Sequence, residues 1–193
     1  DASTLPIRED AGARPLSPYA ASKLANETYA AAFQRTYGLA VVGLRYFNVF
    51  GQRQDPQGAY AAVIPRWIAN LLHGVRCEIH GDGETSRDFC HVADVVQANL
   101  LAAASERLGA DDAIYNVACG RETTLNELFR MIRLGLAGYK PSIAGARPRY
   151  GAVRRGDICR SVANIAKIRR DLEYEPTHNM AQGLGQALEW YVE

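Results

Sequence analysis

Helical and strand-like spacings of apolar residues alternate along this chain of 193 residues. Residues 39–47, "LAVVGLRYF", form a β-branched apolar run of strand length, which is typical of a buried parallel strand. Shorter runs at 76–84 and 113–120 predict two more strands. Helical spacing predicts helices at residues 19–37, 59–74, 91–105, 124–136, 162–172 and 179–192. This alternation predicts an α/β fold.

The first predicted helix has residues suited to both of its ends. Ser17 can cap it, and Pro18 suits the first helical position because an N–H there would have no partner. Gly38 can adopt the left-handed backbone that ends a helix. We interpret three polar stretches with prolines and glycines as loops, at residues 1–16, 48–58 and 147–161. The helix and the strand after it form half of a βαβ unit.

Composition and charge narrow the class of partner. The chain is 48% hydrophobic and 22% charged, as is usual for a globular protein. Its net charge of +1 gives no electrostatic case for nucleic acid. Apolar runs stay short of the roughly 20 residues that a membrane span needs, so we expect no membrane partner and a cytoplasmic location. The four cysteines lack CxxC spacing, which favours reduced thiols and no metal site.

A tyrosine stands four residues before a lysine in "SPYAASK". Tyr19 and Lys23 would lie on one face of the first helix, where the ammonium favours the ionised form of the phenol. Such a phenolate can act as a general base. The pair alone is weak evidence, because two exposed helix residues at this spacing also occur by chance.

Further motifs follow in a fixed order: "PLSPYAASKLANE", "GLRYFNVFG", "DGETSRDFCHVADV", "YNVACG" and "RRGDI". The series resembles the extended short-chain dehydrogenase/reductase family, and within it the nucleotide-sugar 4-epimerases. The resemblance is greatest to the bacterial UDP-N-acetylglucosamine 4-epimerases of lipopolysaccharide O-antigen synthesis, and it covers essentially the whole chain.

This resemblance implies the C-terminal part of a Rossmann NAD(P)-binding fold plus a small α/β substrate domain. Residues 1–60 would belong to the Rossmann domain, with residues 91–120 returning to it. Residues 61–90 and 121–193 would form the UDP-sugar-binding domain. Family members commonly dimerise through the helix that carries the tyrosine and the lysine, so a homodimer built on a helix bundle is also expected.

The resemblance also implies a reaction with NAD as the cofactor. Tyr19 would take the proton from the 4-hydroxyl of the sugar while the C4 hydride passes to NAD. The 4-keto sugar would rotate, and the hydride would return to its other face. Lys23 would hold the nicotinamide ribose and stabilise the phenolate, and Tyr46 would lie beside the nicotinamide. The full-length protein would then be an isomerase.

The residues implied for the UDP group are spread over the rest of the chain. Asn48 and Arg87 resemble contacts to the diphosphate. Arg154 resembles the arginine on the phosphates, and Asp157 the aspartate on the ribose hydroxyls. Two guanidiniums facing two phosphates form strong charge-assisted hydrogen bonds. Glu78 and His80 would lie beside the uracil.

Residues implied for the sugar point to an N-acetylated substrate. Gln54, Ala62 and Val63 match positions of the sugar and nucleotide pocket. Ser161 matches a gate position, where a tyrosine restricts the pocket to plain hexoses and a small residue admits N-acetylated ones. The expected substrates are therefore UDP-GlcNAc and UDP-GalNAc.

Two features of the family are not found in this sequence. They are the glycine fingerprint that binds the cofactor pyrophosphate and the serine or threonine that precedes the tyrosine by about two dozen residues. Ser3 and Thr4 lie too close to Tyr19 to match that position. We therefore expect the chain to be the C-terminal portion of a longer polypeptide, and expect the isolated fragment to bind NAD weakly and to be inactive.

Three functions stay open at this point. The first is the NAD-dependent 4-epimerase. The second is another reaction of the same family, either dehydration of the sugar or decarboxylation of UDP-glucuronate. The third is a UDP-sugar-binding module without catalysis. Gln54 and Ser161 favour the epimerase over the second, and the presence of both Tyr19 and Lys23 argues against the third.

Overall fold

A computed structural model describes residues 4–12, 15–57, 62–105, 113–154 and 157–193. The helices within these residues are α1 (Pro18–Tyr37), α2 (Val63–Leu72), α3 (Val92–Ala104), α4 (Leu125–Tyr139), α5 (Ala166–Leu172) and α6 (Met180–Val192), with a short 3-10 helix at Pro141–Gly145. The strands are β1 (Gly43–Tyr46), β2 (Asn48–Phe50), β3 (Glu78–His80), β4 (Ser86–His91), β5 (Ile114–Val117), β6 (Glu122–Thr124), β7 (Arg149–Gly151) and β8 (Arg160–Ser161). Each predicted helix has a counterpart, although the first residues predicted for α2, 59–61, lie outside the described residues.

The sequence prediction was wrong in two of the stretches interpreted as loops. Strand β2 lies in the first of these stretches, and strands β7 and β8 lie in the second. The helix predicted from residue 162 begins only at Ala166, because Ala163 is extended and bridges to Ile7. Strands β4 and β6 were also not predicted. All five unpredicted strands have two to six residues, and none has the apolar run or the regular alternation of apolar and polar residues that indicates a strand.

Most of the strand pairs are parallel. Strand β1 pairs with β5, β2 pairs with β4, and β3 pairs with β7, each in parallel, whereas β4 and β6 run antiparallel. Strand β8 adds to β4 in parallel, with Ser161 in register with Arg87. The chain thus leaves the β1–β5 pair at Tyr46 and joins the β2–β4 sheet two residues later, at Asn48.

Buried apolar residues form two clusters in the described part of the chain. The first cluster joins α2, α4 and α6 around Trp67 and Phe129, whose rings meet edge to face with centroids 5.9 Å apart. The second cluster joins α3, β5 and α5 around the fully buried Tyr115 and Tyr174. The predicted domain boundaries stay a prediction. No helix among the described residues is long and apolar enough to cross a membrane.

Candidate active site

A cavity of about 550 Å³ opens where the chain passes from β1 to β2. Its wall includes the start of α1, the start of α2, strands β3 and β4, and residues 154 and 157. Eleven of the thirteen predicted site residues line it: Tyr19, Tyr46, Asn48, Gln54, Ala62, Val63, Glu78, His80, Arg87, Arg154 and Asp157. Lys23 and Ser161 lie outside its lining. In α/β proteins, ligands usually bind at the carboxyl ends of the strands, at the point where the strand order switches.

Tyr19 stands at the rim of this cavity in the first turn of α1. The Ser17 hydroxyl caps this turn by accepting a hydrogen bond of 3.1 Å from the amide of Ala20, as predicted. The ammonium nitrogen of Lys23 lies 5.2 Å from the centroid of the Tyr19 ring, so the two residues share one face of the helix. The Tyr19 side chain remains open to solvent, since 70% of the residue is exposed.

Helix α1 is held in place by an ion pair that sequence reasoning missed. None of its residues is buried. The Arg45 guanidinium of β1 donates to both carboxylate oxygens of Glu27, at 2.7 and 2.8 Å, and to the carbonyl of Glu9 at 2.9 Å. Arginine and glutamate at positions 45 and 27 carry no local signal, because their pairing arises only when β1 folds back along α1. The pair orients the helix that carries Tyr19.

The end of β1 contributes two further cavity residues. The Tyr46 hydroxyl donates to Asn99 of α3 at 2.9 Å, which fixes the ring while 49% of the residue stays exposed. Asn48 follows at the first position of β2, and the intervening Phe47 donates its amide to the carbonyl of Val117 at 3.0 Å. The switch between sheets thus places Tyr46 and Asn48 on the cavity wall.

Two of the predicted arginines and one aspartate contribute charged side chains to the cavity wall. The half-buried Arg87 lies on β4 and donates one hydrogen bond of 2.8 Å, to the carbonyl of Ser86. Burial lowers the pKa of its guanidinium, and the nearby Asp157 carboxylate acts in the opposite direction. The exposed Arg154 and Asp157 are in contact, since the Asp157 amide donates to the carbonyl of Arg154 at 3.2 Å. Arg155 of the "RRGD" motif lies outside the described residues.

Strand β3 supplies Glu78 and His80, and both side chains already have protein partners. Arg149 of β7 donates to the Glu78 carboxylate at 2.9 Å. Nδ1 of His80 lies 3.2 Å from the carbonyl oxygen of Ala152. These contacts fix the two side chains at the cavity wall rather than leaving them free to reorient.

Gln54 is held in the wall with one side-chain atom unsatisfied. Its amide nitrogen donates to the carbonyl of Val49 at 3.2 Å, and its backbone carbonyl accepts a hydrogen bond from the Tyr191 hydroxyl. Its side-chain oxygen is buried without a hydrogen-bond partner among the described residues. Such an orphaned acceptor is unusual in a folded protein and marks a place for a donor.

Ser161 lies one strand away from the cavity. It is half-buried on β8 and pairs in register with Arg87, which itself lines the cavity. The neighbouring Arg160 pairs with Glu122, whose carboxylate also accepts from the Ser86 hydroxyl at 2.7 Å. Ser161 is therefore a neighbour of the charged part of the cavity through the strand pairing, although it does not line it.

Several cavity residues were not predicted. Arg66 of α2 lines the cavity as a third guanidinium beside Arg87 and Arg154. Trp67 and Phe89 also line it, although both are buried. Apolar residues at core spacing carry no signal of their own, because the same pattern is required for packing alone.

Comparison with known proteins identifies the family. The profile of the NAD-dependent epimerase/dehydratase family matches residues 1–118. The chain belongs to this family. The assignment confirms the predicted resemblance and the α/β, Rossmann-type fold class, and it confirms NAD as the cofactor at the level of the family.

Solved structures of other family members superpose on nearly the whole chain. The UDP-N-acetylglucosamine 4-epimerase of Methanobrevibacter ruminantium, in complex with UDP-N-acetylmuramic acid, matches 98% of the chain with a TM-score of 0.89 and 38% identity. The UDP-glucose 4-epimerase of Thermotoga maritima, with UDP-glucose, matches 100% of it with a TM-score of 0.90 and 36% identity. The chain covers 58% and 59% of these two structures.

Curated relatives include dehydratases as well as epimerases. The dTDP-glucose 4,6-dehydratase of Actinoplanes sp. is 32% identical over 177 residues, which are 92% of this chain and 52% of the relative. The chain spans little more than half the length of the curated relatives it matches. Membership of the family therefore leaves the reaction and the substrate to be argued from the site.

Proposed function

We propose that the protein is an NAD-dependent 4-epimerase of UDP-hexoses, with UDP-GlcNAc and UDP-GalNAc as its preferred substrates. The observation that carries this proposal is one cavity whose wall includes the solvent-open phenol of Tyr19 together with the guanidiniums of Arg87 and Arg154. The phenol suits proton transfer at a sugar hydroxyl, and the guanidiniums suit a diphosphate. A cavity of about 550 Å³ is within the usual size range for small-molecule sites.

Tyr19, Tyr46 and Lys23 fit a nicotinamide cofactor. Tyr19 and Tyr46 present partly exposed aromatic rings, and Lys23 adds a cation on the same helix face as Tyr19. These three residues would hold the nicotinamide and its ribose. When bound, NAD supplies the acceptor for the C4 hydride.

Proton transfer at the sugar is assigned to Tyr19. Its phenolate accepts the proton of the 4-hydroxyl as the sugar is oxidised, and the phenol returns it when the sugar is reduced again. The Lys23 ammonium nitrogen lies 5.2 Å from the centroid of the Tyr19 ring, on the same face of the helix. Because α1 is anchored to β1 by Glu27 and Arg45, the phenol keeps a fixed position while the sugar turns.

We assign the UDP group to the part of the cavity wall that carries Arg87, Arg154 and Asp157. Arg87 and Arg154 bind the diphosphate together with Asn48, and Asp157 accepts from the ribose hydroxyls. Glu78 and His80 lie beside the uracil, fixed by Arg149 and Ala152. Gln54, Ala62 and Val63 line the sugar region, with the small Ser161 behind Arg87. The absence of bulk at Ala62 and Ser161 supports an N-acetylated sugar.

The test is product analysis of the complete polypeptide. We expect NAD-dependent conversion of UDP-GlcNAc to UDP-GalNAc at the same molecular mass, and slower turnover of UDP-glucose. A dehydratase, which the Actinoplanes relative makes the main competitor, would instead release a product lighter by one water molecule. Binding of UDP without turnover of any UDP-sugar or dTDP-sugar would favour a binding module and contradict the proposal.

We further propose that the protein is a cytoplasmic homodimer. Helix α1 supports the dimer, because it exposes Tyr29, Phe33 and Tyr37 at intervals of four residues and buries none of its own residues. The four cysteines, none of which forms a disulfide among the described residues, support a reducing compartment. Sedimentation of the complete polypeptide tests the dimer: Phe33→Asp should yield a monomer, whereas an unchanged dimer would place the interface elsewhere.

A further inference from the structure

Two cysteine side chains meet in the second apolar cluster, away from the cavity. Their sulfur atoms lie within 4.8 Å of each other and also of a carboxylate oxygen of Asp94. Cys90 lies on β4 and Cys119 lies two residues after β5, so 28 residues separate them in the chain. Neither residue lines the active-site cavity.

Strand geometry explains why the two sulfurs meet. Asp88 and Cys90 are two residues apart on β4, so their side chains point to the same face. The Asp88 carboxylate accepts hydrogen bonds from the amides of Cys119 and Gly120, at 3.0 and 2.9 Å. These bonds hold the turn after β5 against this face of β4 and bring Cys119 next to Cys90.

Three side chains at this distance could suggest a metal site, but the hydrogen bonds argue against one. The Asp94 carboxylate already accepts from the amide and the hydroxyl of Thr177, at 2.9 and 2.8 Å. It also accepts from the amide of His178 at 3.3 Å, and the ring of His178 lies 3.1 Å from it. The Asp94 carboxylate is therefore occupied in holding Thr177 and His178. This leaves only the two sulfurs of the cluster as possible metal ligands.

We propose that Cys90 and Cys119 form an oxidisable dithiol that closes to a disulfide on exposure to hydrogen peroxide. Cys90 is fully buried, with the Tyr174 hydroxyl 3.6 Å from its sulfur. Cys119 is only partly buried, with its sulfur 3.8 Å from the carbonyl oxygen of His178, so we assign the first reaction with peroxide to Cys119. A partly accessible thiol beside a second, protected thiol is the arrangement of a redox pair.

The protonation of the two thiols agrees with this division of roles. The interaction between the two neighbouring thiols lowers the pKa of Cys119 and raises that of Cys90, and burial raises the pKa of Cys90 further. The nearby carboxylates of Asp88 and Asp94 oppose the lowering at Cys119. Thiolate character at the accessible sulfur favours attack on peroxide there.

The reaction balances in two steps. The Cys119 thiolate attacks a peroxide oxygen, so that an S–O bond forms, the O–O bond breaks and the released hydroxide takes up a proton to become water. The Cys90 sulfur then attacks the sulfur of the Cys119 sulfenic acid, forming the S–S bond, breaking the S–O bond and releasing a second water with the Cys90 proton. Two thiols and one hydrogen peroxide give one disulfide and two waters.

The test is peptide mass spectrometry of the purified protein after graded peroxide treatment. We expect a product lighter by two hydrogens, a linked peptide pair that contains Cys90 and Cys119, and reversal by dithiothreitol. The other cysteines serve as internal controls: Cys77 is as buried as Cys90 but lies in the first cluster, and Cys159 is exposed. Cys77 should stay reduced, and Cys159 should oxidise without linking to either residue.

A variant and a metal analysis complete the test. In Cys119→Ser, Cys90 should resist peroxide as Cys77 does. Stepwise oxidation of Cys119 to sulfinic acid with Cys90 still reduced would overturn the proposal, as would two reduced thiols at a peroxide dose that fully oxidises Cys159. Zinc that co-purifies and protects both sulfurs until a chelator is added would also overturn it, in favour of a metal site. The mass spectrometry of the unaltered protein tests the proposal even if Cys119→Ser does not fold.

Discussion

Tyr19 is held by its helix while its side chain stays open to the cavity. The Ser17 cap and Pro18 fix the first turn, and Lys23 lies against the ring. These contacts were predictable because they lie within four residues of one another. Their proposed role in catalysis came from the family resemblance, and the cavity adds that Tyr19 shares one wall with Asn48 and Arg87.

The change Tyr19→Phe removes the proposed base and leaves the ring in place. We expect kcat for epimerisation in the complete polypeptide to fall by about 10²–10⁴, the usual contribution of a positioned acid–base group. Binding of UDP should be unchanged, because Tyr19 is not among the residues assigned to the UDP group. Tyr29→Phe is the matched control, an exposed tyrosine on the same helix. Similar losses in both variants would contradict the role of Tyr19.

His91 gives the fold a dependence on pH. The ring is almost fully buried, and Nδ1 accepts from the amide of Ala93 at 3.4 Å at the start of α3. Burial lowers the pKa of His91, and the neighbouring ring of His178, 4.4 Å away between centroids, acts in the same direction. The unfolded chain therefore takes up a proton near pH 6.5, its ordinary pKa, before the folded protein does.

We expect His91 to lower the free energy of unfolding as the pH falls below about 6.5. Burial raises the pKa of Asp88 to about 6. Asp88 therefore raises the free energy of unfolding as the pH falls from about 6 to about 4, opposite to the effect of His91. For this reason the contribution of His91 is measured as a difference between variants. His91→Asn keeps an acceptor for the Ala93 amide and removes the titration. Urea unfolding at several pH values should show a flatter acid limb for this variant, but not for His73→Asn at the exposed end of α2. Parallel profiles for all three proteins would contradict the assignment.

Asp88 shows how elements far apart in the sequence are joined. Its buried carboxylate accepts amide hydrogen bonds from Cys119, Gly120 and Ala163, and so connects β4 to the turn after β5 and to the segment before α5. The same segment bridges to Ile7. Strand β4 is therefore central to the fold, because it also pairs with β2, β6 and β8.

Replacing this acceptor should destabilise the protein. Asp88→Asn turns one oxygen into an NH₂ group that faces backbone N–H donors, and we expect the free energy of unfolding at pH 7.5 to fall by about 2–3 kcal/mol. Asp82→Asn is the control, since the Asp82 carboxylate accepts from the Glu84 amide at 2.9 Å in an exposed turn. Equal unfolding midpoints in denaturant for Asp88→Asn and the unaltered protein would contradict this account.

The helices and strands β1, β3 and β5 were predictable from the sequence, whereas strands β2, β4, β6, β7 and β8 were not. Helix α1 has a complete set of local signals, and α4 has the capping box of Thr124 and Glu127 in addition to its apolar stripe. Strand β2 has three residues, and it is a strand only because β4 provides a partner. The cavity depends on this switch, so its position could be expected from the resemblance but not from periodicity.

At the scale of the whole molecule, the cavity draws on segments from residue 19 to residue 157. Ser161 belongs to this assembly through the pairing of β8 with β4. Because Ser161 pairs in register with Arg87, a large side chain at position 161 would lie beside Arg87, which lines the cavity. Any effect of the size of residue 161 on the cavity therefore depends on the pairing of β8 with β4.

Ser161→Tyr should shift the preference of the enzyme toward smaller sugars. We expect kcat/KM for UDP-GlcNAc to fall by about 10–100-fold relative to that for UDP-glucose, as is usual when pocket volume alone discriminates. Ser142→Tyr, in the exposed 3-10 helix, provides the control. An unchanged ratio in Ser161→Tyr would remove residue 161 from the specificity account and leave the choice of sugar to Gln54 and Ala62.

The most direct test of the epimerase assignment follows one hydrogen atom. The complete polypeptide is given UDP-GlcNAc that carries deuterium at C4, and the product is analysed by NMR. The account predicts UDP-GalNAc that retains the deuterium at C4, with conversion lost in Tyr19→Phe, because the hydride leaves and returns within one cavity. Deuterium exchanged for solvent hydrogen at C4, or a product inverted at another carbon, would contradict it.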